Sequence, residues 1–296
     1  MNNCLQIPLD NLPRNLPQNL TGAANAVDLD AYFARIGYDG PREASLEVLR
    51  SLQALHIASI PFEAMDVLCR VGVDLAPAAI DAKLITGQRG GYCFEQNGLF
   101  KRVLTALGFT VDGLAGRVMW MQPEDAPMPP MCHMALRVVM DGAAWLVDVG
   151  VGSTVPDAPL LMDTGMVQVT AFDRYRLRPV GGDLRLEMQI GADWQPVYQF
   201  APATVPDIDY QVMNWYASTH DKSVFRQTLT AFLTTPTARF SLQDNRLTVR
   251  PRHGAVERHF LNADELEQVL GDIFGIGVRP EWRVAIDRVC EAAPGL

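Results

Sequence analysis

The hydrophobic period of this chain changes near residue 109, and that change limits the folds open to it. From Asp28 to Gly108 apolar residues recur at helical spacing. Asp28 is a good N-cap, Leu29, Tyr32, Phe33 and Ile36 share one face, and Gly37 is a natural terminator. A second helix is expected from Ser45, burying Leu46, Leu49, Leu52 and Leu55, and a third through Ile80 and Leu84. A fourth follows Cys93, with Leu99, Phe100, Val103, Leu104 and Leu107 on one stripe and Gly108 ending it. Beyond residue 109 short runs rich in Val, Leu, Met and Trp (110–120, 133–140, 143–149, 167–177, 183–190 and 195–200) read as an antiparallel meander. After residue 210 the patterns mix, with a helix expected over 222–233, a hairpin around Asp244-Asn245 and a helix over 263–274. Segregated helices and strands make this an α+β chain. Its expected parts are a flexible tail over 1–27 carrying Pro8, Pro13 and Pro17, a helical bundle over 28–108, a β-rich domain over 109–210 and an α/β segment over 211–296.

Charge and cysteine usage exclude several classes of function. The formal net charge of the 296 residues is -9, with acidic and basic residues interspersed, so no concentrated cationic face for nucleic acid is expected. No run approaches the roughly 20 apolar residues that cross a bilayer, and the N-terminus lacks the order of a signal peptide. The five cysteines, Cys4, Cys69, Cys93, Cys132 and Cys290, are odd in number, scattered and free of CxxC pairs. That pattern argues against a disulfide framework and a metal site and fits a reducing cytoplasm, where a reactive thiol stays reduced.

One cysteine stands where such a thiol is useful. In Arg89-Gly90-Gly91-Tyr92-Cys93-Phe94-Glu95-Gln96-Asn97 paired glycines precede a helix, letting the backbone bend and approach a ligand closely. Cys93 then falls in the first helical turn, where free N–H groups and the positive dipole end favour a thiolate. A buried inert cysteine is the alternative, and the downstream hairpin weighs against it. If Asp141-Gly142 is a two-residue loop, Met140 faces Ala143. This register sets His133 opposite Gly150 and puts Asp148 two residues earlier on the same face. His133 and Asp148 become diagonal neighbours with Cα atoms about 7–8 Å apart, a gap that long side chains bridge. Asp148 can then orient the His133 ring and stabilise its protonated form. Cys93, His133 and Asp148 thus form a nucleophile, a base and an orienter.

The same segment closely resembles the arylamine N-acetyltransferase signature RGGxCxExN. Ile60-Pro61-Phe62-Glu63, His133 opening a strand, and Val147-Asp148-Val149-Gly150-Val151-Gly152 follow in the family's order, and Asp28 to Gly40 is typical of bacterial members. The similarity runs from about residue 28 to about residue 275. It implies a helical bundle, an antiparallel β-barrel-like middle domain and a C-terminal α/β lid around a cysteine-protease-like Cys-His-Asp core. It also implies ping-pong transfer of an acetyl group from acetyl-CoA, as co-substrate with no permanently bound cofactor, to arylamine, arylhydrazine or N-hydroxyarylamine acceptors, by a monomer or homodimer. By the same resemblance Phe62, Val118, Val151 and Phe225 fall at positions lining the acceptor pocket, and Gly150, Gly152 and Ser153 present backbone N–H groups to the CoA pyrophosphate. For these glycines a purely geometric role in the turn is the competing reading. Glu63 and Arg89 are expected to form a buried structural ion pair.

Two positions depart from the family pattern. Val151 replaces an aromatic residue, which removes a ring from the expected acceptor pocket, and Ala64 replaces an Asn. A Cys-His-Asp hydrolase presents the same three groups in the same chain order, and a family-related amide synthase is a second alternative. The fate of the acyl-enzyme separates the hydrolase: water receives the acyl group there, an amine here.

Overall fold

A computed structural model describes residues 26–123 and 125–292. Of the expected flexible tail, residues 1–25 lie outside the described residues. The first helices begin and end where their caps dictate. The Asp28 carboxylate accepts the Ala31 N–H at 3.0 Å to start α1 (Leu29–Ile36), and Gly37 closes it in the left-handed conformation. The Ser45 hydroxyl accepts the Val48 N–H at 3.3 Å to start α2 (Leu46–Ser59). The chain continues through β1 (Phe62–Glu63), the single turn α3 (Met65–Leu68) and α4 (Pro77–Asp81), which widens into a π-helical turn over Ala82–Thr86. Then comes α5 (Cys93–Ala106), whose Leu99, Phe100, Val103 and Leu104 are buried as the stripe predicts.

The middle of the chain is an eight-stranded antiparallel sheet. It comprises β2 (Thr110–Val118), β3 (His133–Met140), β4 (Ala143–Val147), β5 (Leu160–Leu161), β6 (Val167–Val169), β7 (Arg174–Val180), β8 (Asp183–Ile190) and β9 (Asp193–Phe200), ordered β5-β4-β3-β2-β9-β8-β7-β6. The two edge strands are joined by a side chain. The Gln168 amide on β6 accepts from the Leu161 N–H on β5 at 2.6 Å and donates to its carbonyl at 2.8 Å. This link stands in for a ladder and makes the sheet nearly a closed barrel around Leu114, Leu146, Tyr175, Leu186 and Val197. Asp141 and Gly142 both have positive φ, as a type I′ turn requires, and Met140 lies opposite Ala143.

The helix α6 (Asp207–Thr219) crosses residue 210, where the pattern change placed a boundary. A second sheet follows, built from β10 (Thr230–Thr234), β11 (Ala238–Gln243), β12 (Arg246–Pro251) and β13 (Glu257–Phe260), with β1 added at the β10 edge. The helices α7 (Ala263–Asp272) and α8 (Arg283–Ala292) complete the C-terminal part, and Leu233, Leu242, Leu266, Leu270 and Ile286 form its core. The helix expected over 222–233 is absent: a 3₁₀ turn at Val224–Arg226 leads into β10. There Leu229, Thr230, Ala231, Leu233 and Thr234 are all buried, as on a strand covered on both faces, and pairing with β1 and β11 supplies the backbone bonds a helix would have made.

Candidate active site

The start of α5 rests on a buried layer of charge. Arg89 donates to Glu63 at 2.6 Å and to Asp66 at 2.8 Å, while Lys83 lies 2.9 Å from Asp66 and 2.7 Å from Glu95. The Glu63–Arg89 pair is the one expected from the sequence; Asp66 and Lys83 enlarge it. Burial alone would lower the Lys83 ammonium, but Glu63, Glu95 and Asp66 hold it above its ordinary value. Glu95 in turn accepts the Tyr92 N–H at 3.0 Å, and Gln96 donates to the carbonyls of Pro61 at 2.8 Å and Gly91 at 3.2 Å. Helix start and preceding turn are thereby fixed, with Cys93 as the first helical residue.

The β3–β4 ladder keeps the predicted register but ends at Leu136–Val147, short of His133 and Asp148. Their side chains meet beyond it, with His133 Nε2 2.7 Å from Asp148 Oδ2 and both residues buried. The other carboxylate oxygen, Oδ1, accepts the Gly150 N–H at 2.7 Å and an Asn97 Nδ2–H at 3.0 Å. Asn97 also donates to the Met134 carbonyl at 2.7 Å and accepts the Val149 N–H at 3.1 Å. It lies four residues beyond Cys93 on the same helix face, so a single side chain ties the nucleophile's helix to both strands that carry its partners. The Cys93 thiol donates to the Cys132 carbonyl at 3.7 Å, one residue before His133. A Cβ on Gly150 would lie 2.7 Å from the Cys93 Cα, so glycine is needed for this approach. The Tyr198 ring packs on His133 with centroids 4.7 Å apart.

Burial pushes the Cys93 thiol above its ordinary value, and the backbone N–H groups of Met134 and Phe94 pull against that shift. The helix start, which favours a thiolate, therefore works against burial at this sulfur. It is buried, and desolvation outweighs the helix-end effect. Asp148 engages His133 through Nε2, which leaves Nδ1 as the ring nitrogen not held by the carboxylate.

Of the residues matched to an acceptor pocket, Phe62 and Phe225 pack with tilted rings and centroids 5.9 Å apart, and Tyr92 lies 5.6 Å from Phe225. Val118 ends β2 and pairs with Tyr198, and half-buried Val151 packs against the cores of both the helical part and the barrel. Sequence reasoning missed Phe232, which lies 5.5 Å from Phe62, ring to ring. A Cβ on Gly152, whose φ is 77°, would come within 3.0 Å of the Phe232 ring. The run Leu229-Thr230-Ala231-Phe232-Leu233 carries no clear period, so sequence alone gave no signal for Phe232. In the Gly150–Ser153 turn, the Gly150 N–H is already given to Asp148, and Gly152 opens the 3₁₀ turn Gly152–Thr154. A cavity of about 680 Å³ behind α5, lined by Leu75, Ile80, Phe94, Met134 and Tyr210, contains none of these residues nor the triad. Among the described residues no group of His, Cys, Asp and Glu is placed to hold a metal ion, and no helix is long and apolar enough to cross a membrane.

Comparison with known proteins bears on the same residues. The N-acetyltransferase family model matches residues 45–283, a span containing Cys93, His133 and Asp148. An arylamine N-acetyltransferase of Mycobacterium tuberculosis is 41% identical over 278 residues, covering 91% of this chain and 98% of that protein. One from Mycolicibacterium smegmatis is 43% identical over 257 residues, covering 85% of this chain and 92% of that protein. The structure of Mycobacterium marinum arylamine N-acetyltransferase in complex with CoA superposes with a TM-score of 0.86 at 41% identity, covering 89% of this chain and 100% of that one.

Proposed function

This chain belongs to the arylamine N-acetyltransferase family, and we propose that it moves an acetyl group from acetyl-CoA, through a thioester on Cys93, to arylamine, arylhydrazine or N-hydroxyarylamine acceptors. The observation that carries this reading is the 2.7 Å bond between His133 Nε2 and Asp148 Oδ2, held against the helix of Cys93 by Asn97. That arrangement supplies a nucleophile, a base and an orienter in one buried unit. The CoA complex of the relative from Mycobacterium marinum supports CoA as the carrier.

In the first half-reaction His133 Nδ1 takes the Cys93 proton as sulfur attacks the thioester carbonyl of acetyl-CoA. Asp148 stabilises the imidazolium that forms. The tetrahedral adduct collapses, the CoA sulfur leaves and takes up the proton, and the acetyl group stays on Cys93. One thioester replaces another, so the step is close to isoenergetic. In the second half-reaction the acceptor nitrogen attacks the Cys93 thioester while His133 removes its proton, and the thiol is restored. Phe62, Val118, Val151 and Phe225 would form the acceptor pocket, with the Phe232 ring beside them. Gly152 and Ser153 would offer backbone N–H groups to the CoA pyrophosphate, whereas Gly150 acts through Asp148 and through its contact with Cys93.

The test is to incubate the protein with acetyl-CoA alone and measure its intact mass. A hydroxylamine-labile acetyl group mapped to Cys93, and absent from Cys93→Ser, is the expected result. No adduct, together with no CoA release when a hydrazine acceptor is present, overturns the reading.

A further inference from the structure

Cys132 is a second free thiol beside the nucleophile, and the acetyl-transfer reading gives it no task. It stands immediately before His133, where the pairing of β3 with β2 ends, and is half-buried where Cys93 is buried. The Cys93 thiol donates to the Cys132 carbonyl oxygen at 3.7 Å. Standard bond lengths put a carbonyl oxygen about 2.4 Å from its own Cα. The Cys132 Cα is therefore within about 6.1 Å of the Cys93 sulfur. The Cys93 sulfur is about 2.8 Å from its own Cα, so the two Cα atoms lie at most about 8.9 Å apart, and reaching the roughly 4.4–6.8 Å that a disulfide spans takes side-chain rotation together with a shift of up to about 2 Å at the strand entrance, where the pairing of β3 with β2 ends. Their electrostatics agree with this proximity. Burial pushes both thiols up, charge on Cys132 further disfavours charge on Cys93, and the Arg117 guanidinium favours the Cys132 thiolate.

We infer that Cys132 is a resolving thiol, which converts hydroperoxide damage at Cys93 into a Cys93–Cys132 disulfide that blocks acetylation reversibly. The inference rests on Cys93 being the nucleophile, since the thiolate that attacks a thioester also attacks a peroxide. The Cys93 sulfur attacks the O–O bond of a hydroperoxide, breaking it, so that Cys93 becomes a sulfenic acid and the peroxide leaves as an alcohol, or as water from hydrogen peroxide. The Cys132 thiolate then attacks the sulfenic sulfur, the S–S bond forms, the S–O bond breaks, and hydroxide leaves to be protonated to water. Two thiols have together given two electrons to one hydroperoxide. A dithiol reductant reverses the bridge by exchange. Without Cys132 the sulfenic acid is open to further oxidation to sulfinic acid, which thiols do not reverse.

The experiment treats the full chain with a small excess of hydrogen peroxide, quenches it by alkylation under denaturing conditions, and maps the peptides. The expected result is a peptide pair linked through Cys93 and Cys132, with activity lost and then regained in dithiothreitol. In Cys132→Ser and Cys132→Ala, each normalised to its own untreated activity, most of the loss becomes permanent and Cys93 is found as sulfinic acid. Sulfinic acid on Cys93 of the unaltered chain with no bridge to Cys132, a bridge to another cysteine, or equal recovery in all three proteins overturns the inference. Alkylation of untreated protein by iodoacetamide separates the two readings. If Cys93 alkylates rapidly but no bridge forms, only the resolving role falls. If Cys93 neither alkylates nor oxidises, its role as nucleophile falls as well.

Discussion

Asn97 donates to Asp148 Oδ1 at 3.0 Å from a position one helical turn beyond Cys93. The same amide reaches the Met134 carbonyl and the Val149 N–H, so three bonds of one side chain set the distance between α5 and the β3–β4 hairpin. Asn97→Ala is expected to destabilise the fold by about 2–3 kcal/mol, because it leaves buried polar groups on both strands without partners. Acetylation of Cys93 should slow more than the stability loss explains, since Asp148 loses one of its supports. Denaturant melts and single-turnover acetylation on the same preparation check this. A variant that melts early but acetylates at the normal rate below its melting temperature would falsify the orienting role.

Lys83 stands between Asp66 and Glu95 on the π-helical turn, and its side chain is only 15% exposed. Removing one partner of a buried ion cluster strands the others, at a cost of about 3–5 kcal/mol. Lys83→Met should therefore lower the urea midpoint sharply. Adding Glu95→Gln should restore much of the loss, because it removes the carboxylate that Lys83 alone had paired, Arg89 still donates to both Glu63 and Asp66, and the Gln oxygen can keep the bond from the Tyr92 N–H. A double variant no more stable than the single one argues against the pairing.

Much of the site was legible in the sequence because its determinants are local. Asp141-Gly142 fixes a two-residue turn, the turn fixes the register, and the register brings His133 and Asp148 to one face. The cap residues Asp28 and Ser45 likewise marked helix starts. What stayed hidden depends on distant partners or on an inverted pattern. Phe232 reaches Phe62 only because β10 pairs with β1, far away in the chain. The helix α6 has Ile208, Val212 and Trp215 exposed while Asn214 and Ser218 are buried, so its hydrophobic stripe points the wrong way for sequence reading. The burial of Cys93 was hidden for a related reason: helix position is visible in sequence, whereas burial of that helix start is not.

His56 supplies a pH dependence beneath the catalytic helix. Its Nε2 lies 2.7 Å from Gln96 Oε1, and its Nδ1 lies 2.9 Å from the Tyr32 hydroxyl. Gln96 Nε2 faces the carbonyls of Ile60, Pro61 and Gly91, which fixes Oε1 as an acceptor and His56 Nε2 as the donor. Burial disfavours the imidazolium, and in the neutral ring Nδ1 accepts from Tyr32. Burial lowers His56 from 6.5 to about 4. The unfolded chain binds a proton below about 6.5 that the folded chain refuses until about 4. Stability contributed by neutral His56 is thus present above pH 6.5 and falls as pH drops toward 4, by as much as about 3 kcal/mol. His56→Phe should be less stable at pH 7 but show a shallower decline between pH 6.5 and 4.5. Parallel declines in urea midpoint would remove His56 as the cause.

On the proposed mechanism, Val151 bears on which acceptor meets the thioester. It is half-buried between two cores, and the next residue, Gly152, is held at positive φ against the Phe232 ring. Phe232 and Phe62 provide aromatic surface nearby, but a valine at 151 takes up less room than a ring. Val151→Phe should therefore lower kcat/KM for bulky bicyclic arylamines relative to small monocyclic ones by about tenfold, the scale on which a hydrophobic pocket discriminates by size. Formation of the Cys93 thioester from acetyl-CoA should change little, because that step does not involve the acceptor. Comparing half-reactions over an arylamine panel tests both statements. Unchanged relative rates across the panel would show that position 151 does not shape the acceptor pocket.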